Sequence, residues 1–173
     1  AVADCLKAGR QVLVLLPEIA LSAQWLERFR ARFSSEPALW HSDLTMAQRR
    51  ETWRHIAEGR AGVVVGARSA LFLPYPDLGL IIVDEAHDAS LKQQDGFRYH
   101  ARDLASWRAQ QLGVPVVHGS ATPALETLQL ARDGRYHWLR PVPRPQVRPY
   151  QAGGVLPDVR LLQSSRRASP RNP

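Results

Sequence analysis

Four unbroken apolar runs, each about as long as a buried strand, recur along this chain with helix-length stretches between them. They are Gln11–Leu16, Gly62–Gly66, Leu78–Val83 and Val114–Gly119. A half-exposed strand alternates apolar and polar residues, whereas a run without alternation belongs where both faces are covered. Parallel neighbours also need long crossovers, and the intervening stretches have the length for helices. The pattern therefore predicts an α/β fold: a doubly wound, mostly parallel sheet with helices on both faces.

Around this frame, Pro37–His41 and Tyr136–Arg140 read as further strands. From about Ile19 to Arg32 the residues Leu21, Trp25, Phe29 and Phe33 recur every four positions, the spacing of one helix face. Thr45 is placed to cap a helix reaching about Glu58, with Met46, Trp53 and Ile56 on its apolar side and Gly59 near its end. A helical stretch is expected from Tyr99 to about Gln111. Pro123 suits the first turn of another, running to about Arg132.

Ligands in such sheets bind beyond the carboxyl ends of the strands, and the chemically informative residues lie there. Asp84-Glu85-Ala86-His87 follows the run Leu78–Val83. Adjacent carboxylates at the mouth of an apolar strand are costly without a cation or partner. A strand-end Asp84 is suited to hold Mg²⁺ through its water shell, because that ion takes few carboxylates and fills its sphere with water and phosphate oxygens. Glu85 can then orient or deprotonate a water for in-line attack on a γ-phosphate. The same acids also suit the start of a helix, as caps. Ser120-Ala121-Thr122 follows the run Val114–Gly119 and admits the same two readings, a site turn or a helix cap.

Two further groups face outward in this reading. In Lys92–His100, Phe97 and Tyr99 can stack on bases while Lys92, Arg98 and His100 meet phosphates; a solvated loop that packs one aromatic is the plainer alternative. Arg68 and Ser69, just past a strand end, suit nucleic-acid backbone contacts, and Arg68 equally suits a buried ion pair.

Net charge adds little to this. Of 23 Lys+Arg and 16 Asp+Glu, residues 140–173 hold seven Arg and one acid, Asp158, together with seven of the 13 prolines. The basic excess therefore sits in a proline-rich stretch with the composition of a linker. The single cysteine, Cys5, gives neither a disulfide framework nor a cysteine-based zinc cluster, and a reducing cytoplasm is expected. No apolar run approaches the roughly 18 residues a membrane span needs, and no signal peptide is evident.

The ordered pair Asp84-Glu85-Ala86-His87 and Ser120-Ala121-Thr122 resembles motifs II and III of superfamily 2 helicases. Leu15–Gln24 resembles motif Ia, and Val63–Phe72 the next block. With HSDLT, KQQDG, RYHARD and GSATPALET, these segments resemble the PriA family of primosomal, replication-restart DNA helicases over about residues 1–163. That resemblance implies a RecA-like, P-loop NTPase lobe of an ATP- and Mg²⁺-dependent 3′→5′ DNA helicase. It implies binding to branched and single-stranded DNA, and partnership with other primosome proteins and single-strand binding protein, in the cytoplasm with the nucleoid. In it Asp84 and Glu85 serve hydrolysis, His87 links nucleotide to the DNA-facing side, and Ser120 and Thr122 couple hydrolysis to strand separation. Lys92–His100 resembles the family's aromatic-rich loop. Three departures stand out. Ala86 replaces a usual second Glu, Leu91 replaces a usual aromatic so that one stacking ring is missing, and the likeness ends at Gln163.

The only lysines are Lys7 and Lys92, each preceded by Leu, so the chain contains no G-x-x-x-x-G-K-[ST] phosphate cradle. Residues 1–140 accordingly read as a first helicase lobe truncated ahead of its P-loop, with Ala1–Gly9 the remainder of the helix that follows that loop. Residues 141–163 read as a connection towards a second lobe, and 164–173 as a disordered or spurious tail. Zinc would belong only to a longer protein. The chain alone is expected to be inactive. The rival readings are another superfamily 2 motor, an RNA helicase or restriction translocase, and a non-enzymatic binding lobe.

Overall fold

A computed structural model describes residues 1–17, 23–139 and, as backbone, 160–164. The elements follow in the order α1 (Val2–Lys7), β1 (Gln11–Leu15), α2 (Ala23–Phe33), β2 (Ala38–Trp40), α3 (Met46–Ala57), β3 (Val63–Gly66) and β4 (Leu78–Val83). After these come β5 (Lys92–Gln93), β6 (Tyr99–His100), α4 (Ala101–Leu112), β7 (Val116–Ser120), α5 (Leu125–Arg132), β8 (Tyr136–Leu139) and β9 (Arg160–Ser164). Short 3₁₀ turns lie at Arg68–Phe72 and Ala89–Leu91.

The main sheet runs β2-β3-β1-β4-β7-β9-β8. Its first five strands are parallel, with Leu15 paired to both Gly66 and Val83, and Val83 paired in turn to His118. The continuous apolar runs are explained by two cores, one on each face. Leu13, Leu15, Val64, Ile81 and Val116 point to one side, where Ile56 of α3 and Ala101, Ala105 and Ala109 of α4 cover them. Val12, Val14, Val63, Val65, Leu80 and Val117 point to the other, under Phe29 of α2 with α1 beside it. Each such side chain contributes roughly 1.5–3 kcal/mol on leaving water. The doubly wound α/β sheet expected from the sequence is the fold.

Gly66 shows how tightly the strand ends meet. A Cβ there would lie 2.4 Å from the Trp40 carbonyl oxygen and 3.0 Å from the Ala70 Cβ, so only hydrogen fits between β2 and the first 3₁₀ turn.

Several local expectations are corrected. Thr45 does cap α3, its Oγ1 accepting from the Gln48 amide at 3.3 Å, but Met46 is 79% exposed and Trp53 49%. The edge strand β2 has only three residues and offers α3 little to cover, so Ile56 alone of these three is buried. Helix α4 begins at Ala101, because His100 caps it through Nδ1, which accepts the Arg102 amide at 3.3 Å. That leaves Tyr99–His100 extended and paired antiparallel with Lys92–Gln93. Gly113 closes the helix in the left-handed conformation, at φ 68°. Pro123 falls outside α5, whose N-cap is Ala124. Tyr136–Leu139 is a strand, but it does not adjoin β7: β9, at the end of the stretch read as a connection, lies antiparallel between them. Of the stretch Leu15–Gln24 resembling motif Ia, residues 18–22 lie outside the described residues, as do 140–159 and 165–173.

Candidate active site and nucleic-acid face

Because β1, β3, β4 and β7 are parallel, the residues that follow them emerge at one edge of the sheet. Asp84 is still held in the ladder, its amide donating to the Leu15 carbonyl at 3.0 Å. The chain then turns sharply at Glu85, which adopts φ 47°, a left-handed conformation uncommon for a residue with a side chain. The turn is fixed from outside: the Ala86 amide donates to the Gly119 carbonyl at 2.8 Å, and Asp88 back to Glu85 at 2.7 Å. A backbone bond thus ties the loop after β4 to the end of β7. Strained φ values of this kind persist only where surroundings impose them.

The side chains repeat the tie. Nδ1 of His87 lies 2.8 Å from Oγ of Ser120 and 3.5 Å from a Glu85 carboxylate oxygen. Ser120 Oγ in turn accepts the Thr122 amide at 3.2 Å. With the imidazole proton on Nε2, the Ser120 hydroxyl donates to Nδ1; a charged ring instead donates Nδ1–H to Ser120 or Glu85.

Asp84 Oδ1 accepts the Glu85 amide at 3.0 Å. Burial raises the Asp84 carboxyl above the ordinary carboxylate range, and the Glu85 amide only partly opposes this. A desolvated carboxylate with one amide donor keeps lone pairs for a cation's water shell. Among the described residues no group of three His, Cys, Asp or Glu surrounds a common point, so an ion at Asp84 would draw its remaining donors from water and ligand oxygens. That coordination suits Mg²⁺.

Neither signature serves as a helix cap. Capping after β4 falls to Asp88, whose Oδ1 accepts the Ser90 amide at 2.7 Å and whose pKa is lowered chiefly by hydrogen bonding from Ser90. After β7, the capping position of α5 is Ala124 rather than Ser120 or Thr122.

On the outward face, Arg68 bonds to carbonyls rather than to a carboxylate, so the buried ion pair is not what holds it. Its Nη1 donates to the carbonyls of Ser90, at 2.8 Å, and Lys92, at 3.0 Å, clasping the loop after β4 to the turn after β3. Ser69 is exposed and its Oγ accepts from Trp40 Nε1 at 3.2 Å. Lys92, Phe97 and Arg98 are exposed, and Tyr99 is half-buried against Phe97, with ring centres 5.9 Å apart. His100, grouped by sequence with the phosphate-seeking cations, is a capping residue. Burial, then the Arg102 charge, lowers its pKa.

Leu91 corrects the sequence reading further. It is 1% exposed and belongs to the core under α4, so the position turns inward and its missing aromatic removes nothing from the exposed face. Sequence reasoning also passed over Arg108, whose guanidinium donates to the carbonyls of Leu71 and Leu73 and lies over the Tyr75 ring at 5.2 Å. It missed the buried polar group beneath β7 as well. There Ser106 Oγ sits 3.2 Å from His118 Nε2 and 3.1 Å from the Tyr136 hydroxyl. The available signal was a histidine inside an apolar strand.

The family model for DEAD/DEAH box helicases matches residues 1–131. The chain is 50% identical over 136 residues to the replication restart protein PriA of Haemophilus influenzae, covering 79% of this chain and 19% of that protein. It is 43% identical over 157 residues to the PriA of Bacillus subtilis, covering 91% and 19%. To that of Rickettsia typhi it is 42% identical over 171 residues, covering 99% and 26%. The chain thus spans about a fifth to a quarter of the length of these relatives.

Proposed function

This chain belongs to the DEAD/DEAH box helicase family, and from that premise we propose that it forms the hydrolytic edge of an ATP-dependent 3′→5′ DNA helicase that restarts stalled replication forks. The proposed substrates are branched and single-stranded DNA. The proposed partners are other primosome proteins and single-strand binding protein, as the similarity to replication restart proteins suggests. No helix among the described residues is long and apolar enough to cross a membrane; a cytoplasmic, nucleoid-associated setting follows from the proposed work.

One observation carries the reading: the acid pair and the Ser-Ala-Thr turn meet at one sheet edge through the Ala86–Gly119 and His87–Ser120 bonds. Mg²⁺-bound ATP supplies a γ-phosphoryl group whose transfer to water is the energy-yielding reaction. In this assignment Asp84 would hold the ion through its water shell. Glu85, whose carboxylate lies 3.5 Å from His87 Nδ1, orients and deprotonates the attacking water. His87 is next to both Glu85 and Ser120, so a change at the acid pair is felt at the turn, and Ser120 with Thr122 passes it on to strand separation. The DNA-facing group is Lys92, Phe97, Arg98 and Tyr99, with Arg68 and His100 positioning it and Ser69 exposed for a backbone contact.

The phosphate cradle G-x-x-x-x-G-K-[ST] is not in this sequence, so these 173 residues by themselves should not turn over ATP. The test uses a protein of the relatives' length: its ATP hydrolysis should rise with single-stranded DNA, and it should unwind forked DNA with 3′→5′ polarity. Hydrolysis indifferent to DNA, or stimulated by RNA alone, would reject the assignment.

A further inference from the structure

The exposed aromatic surface does not end with the loop that the sequence singled out. Phe72, the last residue of the 3₁₀ turn after β3, is 58% exposed, although its neighbours Ala70 and Leu71 in the same turn are fully buried. Its ring meets Tyr99 edge-on, with centres 5.3 Å apart and planes at 89°. Tyr99 in turn lies 5.9 Å from Phe97, which is 76% exposed. Three rings from two separate elements therefore form one continuous outward row. An isolated exposed aromatic is unremarkable, but a row of three is a large apolar patch to leave against water.

The surroundings indicate what covers it. Lys92 and Arg98 are exposed in the same hairpin, and Arg68, in the same turn as Phe72, is bonded across to that hairpin. A protein partner would have to bring acids opposite these cations as well as an apolar surface. Single-stranded nucleic acid brings flat bases for the rings and phosphates for the cations.

The two elements are held as one body. Arg68 clasps the carbonyls of Ser90 and Lys92, and Arg108 of α4 donates to the carbonyls of Leu71 and Leu73 on either side of Phe72. The ring of Phe72 is thereby presented in a fixed place beside Tyr99.

We propose that Phe72 is a base-stacking residue, the third ring of a single-strand platform shared between the turn after β3 and the hairpin Lys92–His100. This rests on the nucleic-acid reading of that hairpin. The experiment measures binding of fluorescein-labelled oligo(dT) to the full 173-residue chain by anisotropy at fixed low salt. The variants are Phe72→Leu, Phe72→Trp and Phe97→Leu, each confirmed folded by its melting curve. Leucine keeps apolar bulk but has no π-face, so Phe72→Leu should bind about tenfold more weakly. Tryptophan restores a face, so Phe72→Trp should bind as well as the parent or better, with its added fluorescence quenched on binding. Full affinity in Phe72→Leu while Phe97→Leu loses it would overturn the proposal and leave the hairpin reading standing. Full affinity in both, or no binding by the parent chain, would remove the hairpin reading and the proposal with it. Equal losses in Phe72→Leu and Phe72→Trp would make Phe72 a packing residue and likewise overturn it.

Discussion

Nδ1 of His87 lies 2.8 Å from Oγ of Ser120, although the two residues follow different strands and are 33 positions apart. Ser120 is 3% exposed and also accepts the Thr122 amide. Ser120→Ala would strand that amide and the imidazole together. Both partners, Thr122 and His87, lie near solvent, so losing these bonds costs about 1 kcal/mol, and the chain's melting temperature should fall by about 3 °C. An unchanged melting temperature would show that the bond carries no weight.

His118 sets an acid limit to stability. Burial first, then Arg102, lowers its pKa to about 4, with Asp103 opposing and His100 adding to the shift. An unfolded chain takes up the same proton near 6.5. Between these values the unfolded state binds a proton that the folded state refuses, so stability should fall as pH drops from 6.5 towards about 4 and level off below. The loss is about 3 kcal/mol. His118→Gln should flatten this slope in urea titrations at a series of pH values, and an unchanged slope would place the proton elsewhere.

Much of this was legible in the sequence for one physical reason. A strand buried on both faces has no freedom to alternate, so β1, β3, β4 and β7 announce themselves as apolar runs, and whatever follows them must stand at the carboxyl edge. Asp84, Glu85, Ser120 and Thr122 could be placed together on that basis. What depends on distant partners was not legible. Met46 and Trp53 have the spacing of a buried face, but the edge strand β2 is too short to bury them. Leu91 looks like a lost surface ring until the chain path turns it into the core. Nothing local marks β9, whose pairing with β7 and β8 joins segments some 40 and 25 residues apart. Arg68 has the charge for phosphate, yet its partners are two carbonyls more than 20 residues away.

Those carbonyls give a third expectation. Arg68→Ala would free the loop at Ser90–Lys92, so limited trypsin digestion should cut after Lys92 and Arg98 several-fold faster. Arg68→Lys should restore little, since an ammonium lacks the planar fork that spans two acceptors. Unchanged cleavage in Arg68→Ala would mean that the hairpin Lys92–His100 is held by its own ladder.

The hydrolytic assignment depends on Glu85. In a protein of the relatives' length that binds nucleotide, Glu85→Gln keeps the shape of the side chain but removes the base. General-base catalysis typically contributes 10²–10⁴-fold, so DNA-stimulated phosphate release should fall by at least about a hundredfold while affinity for single-stranded DNA is unchanged. Phosphate release retained within a few-fold of the parent would contradict the placement of the acid pair at the centre of hydrolysis.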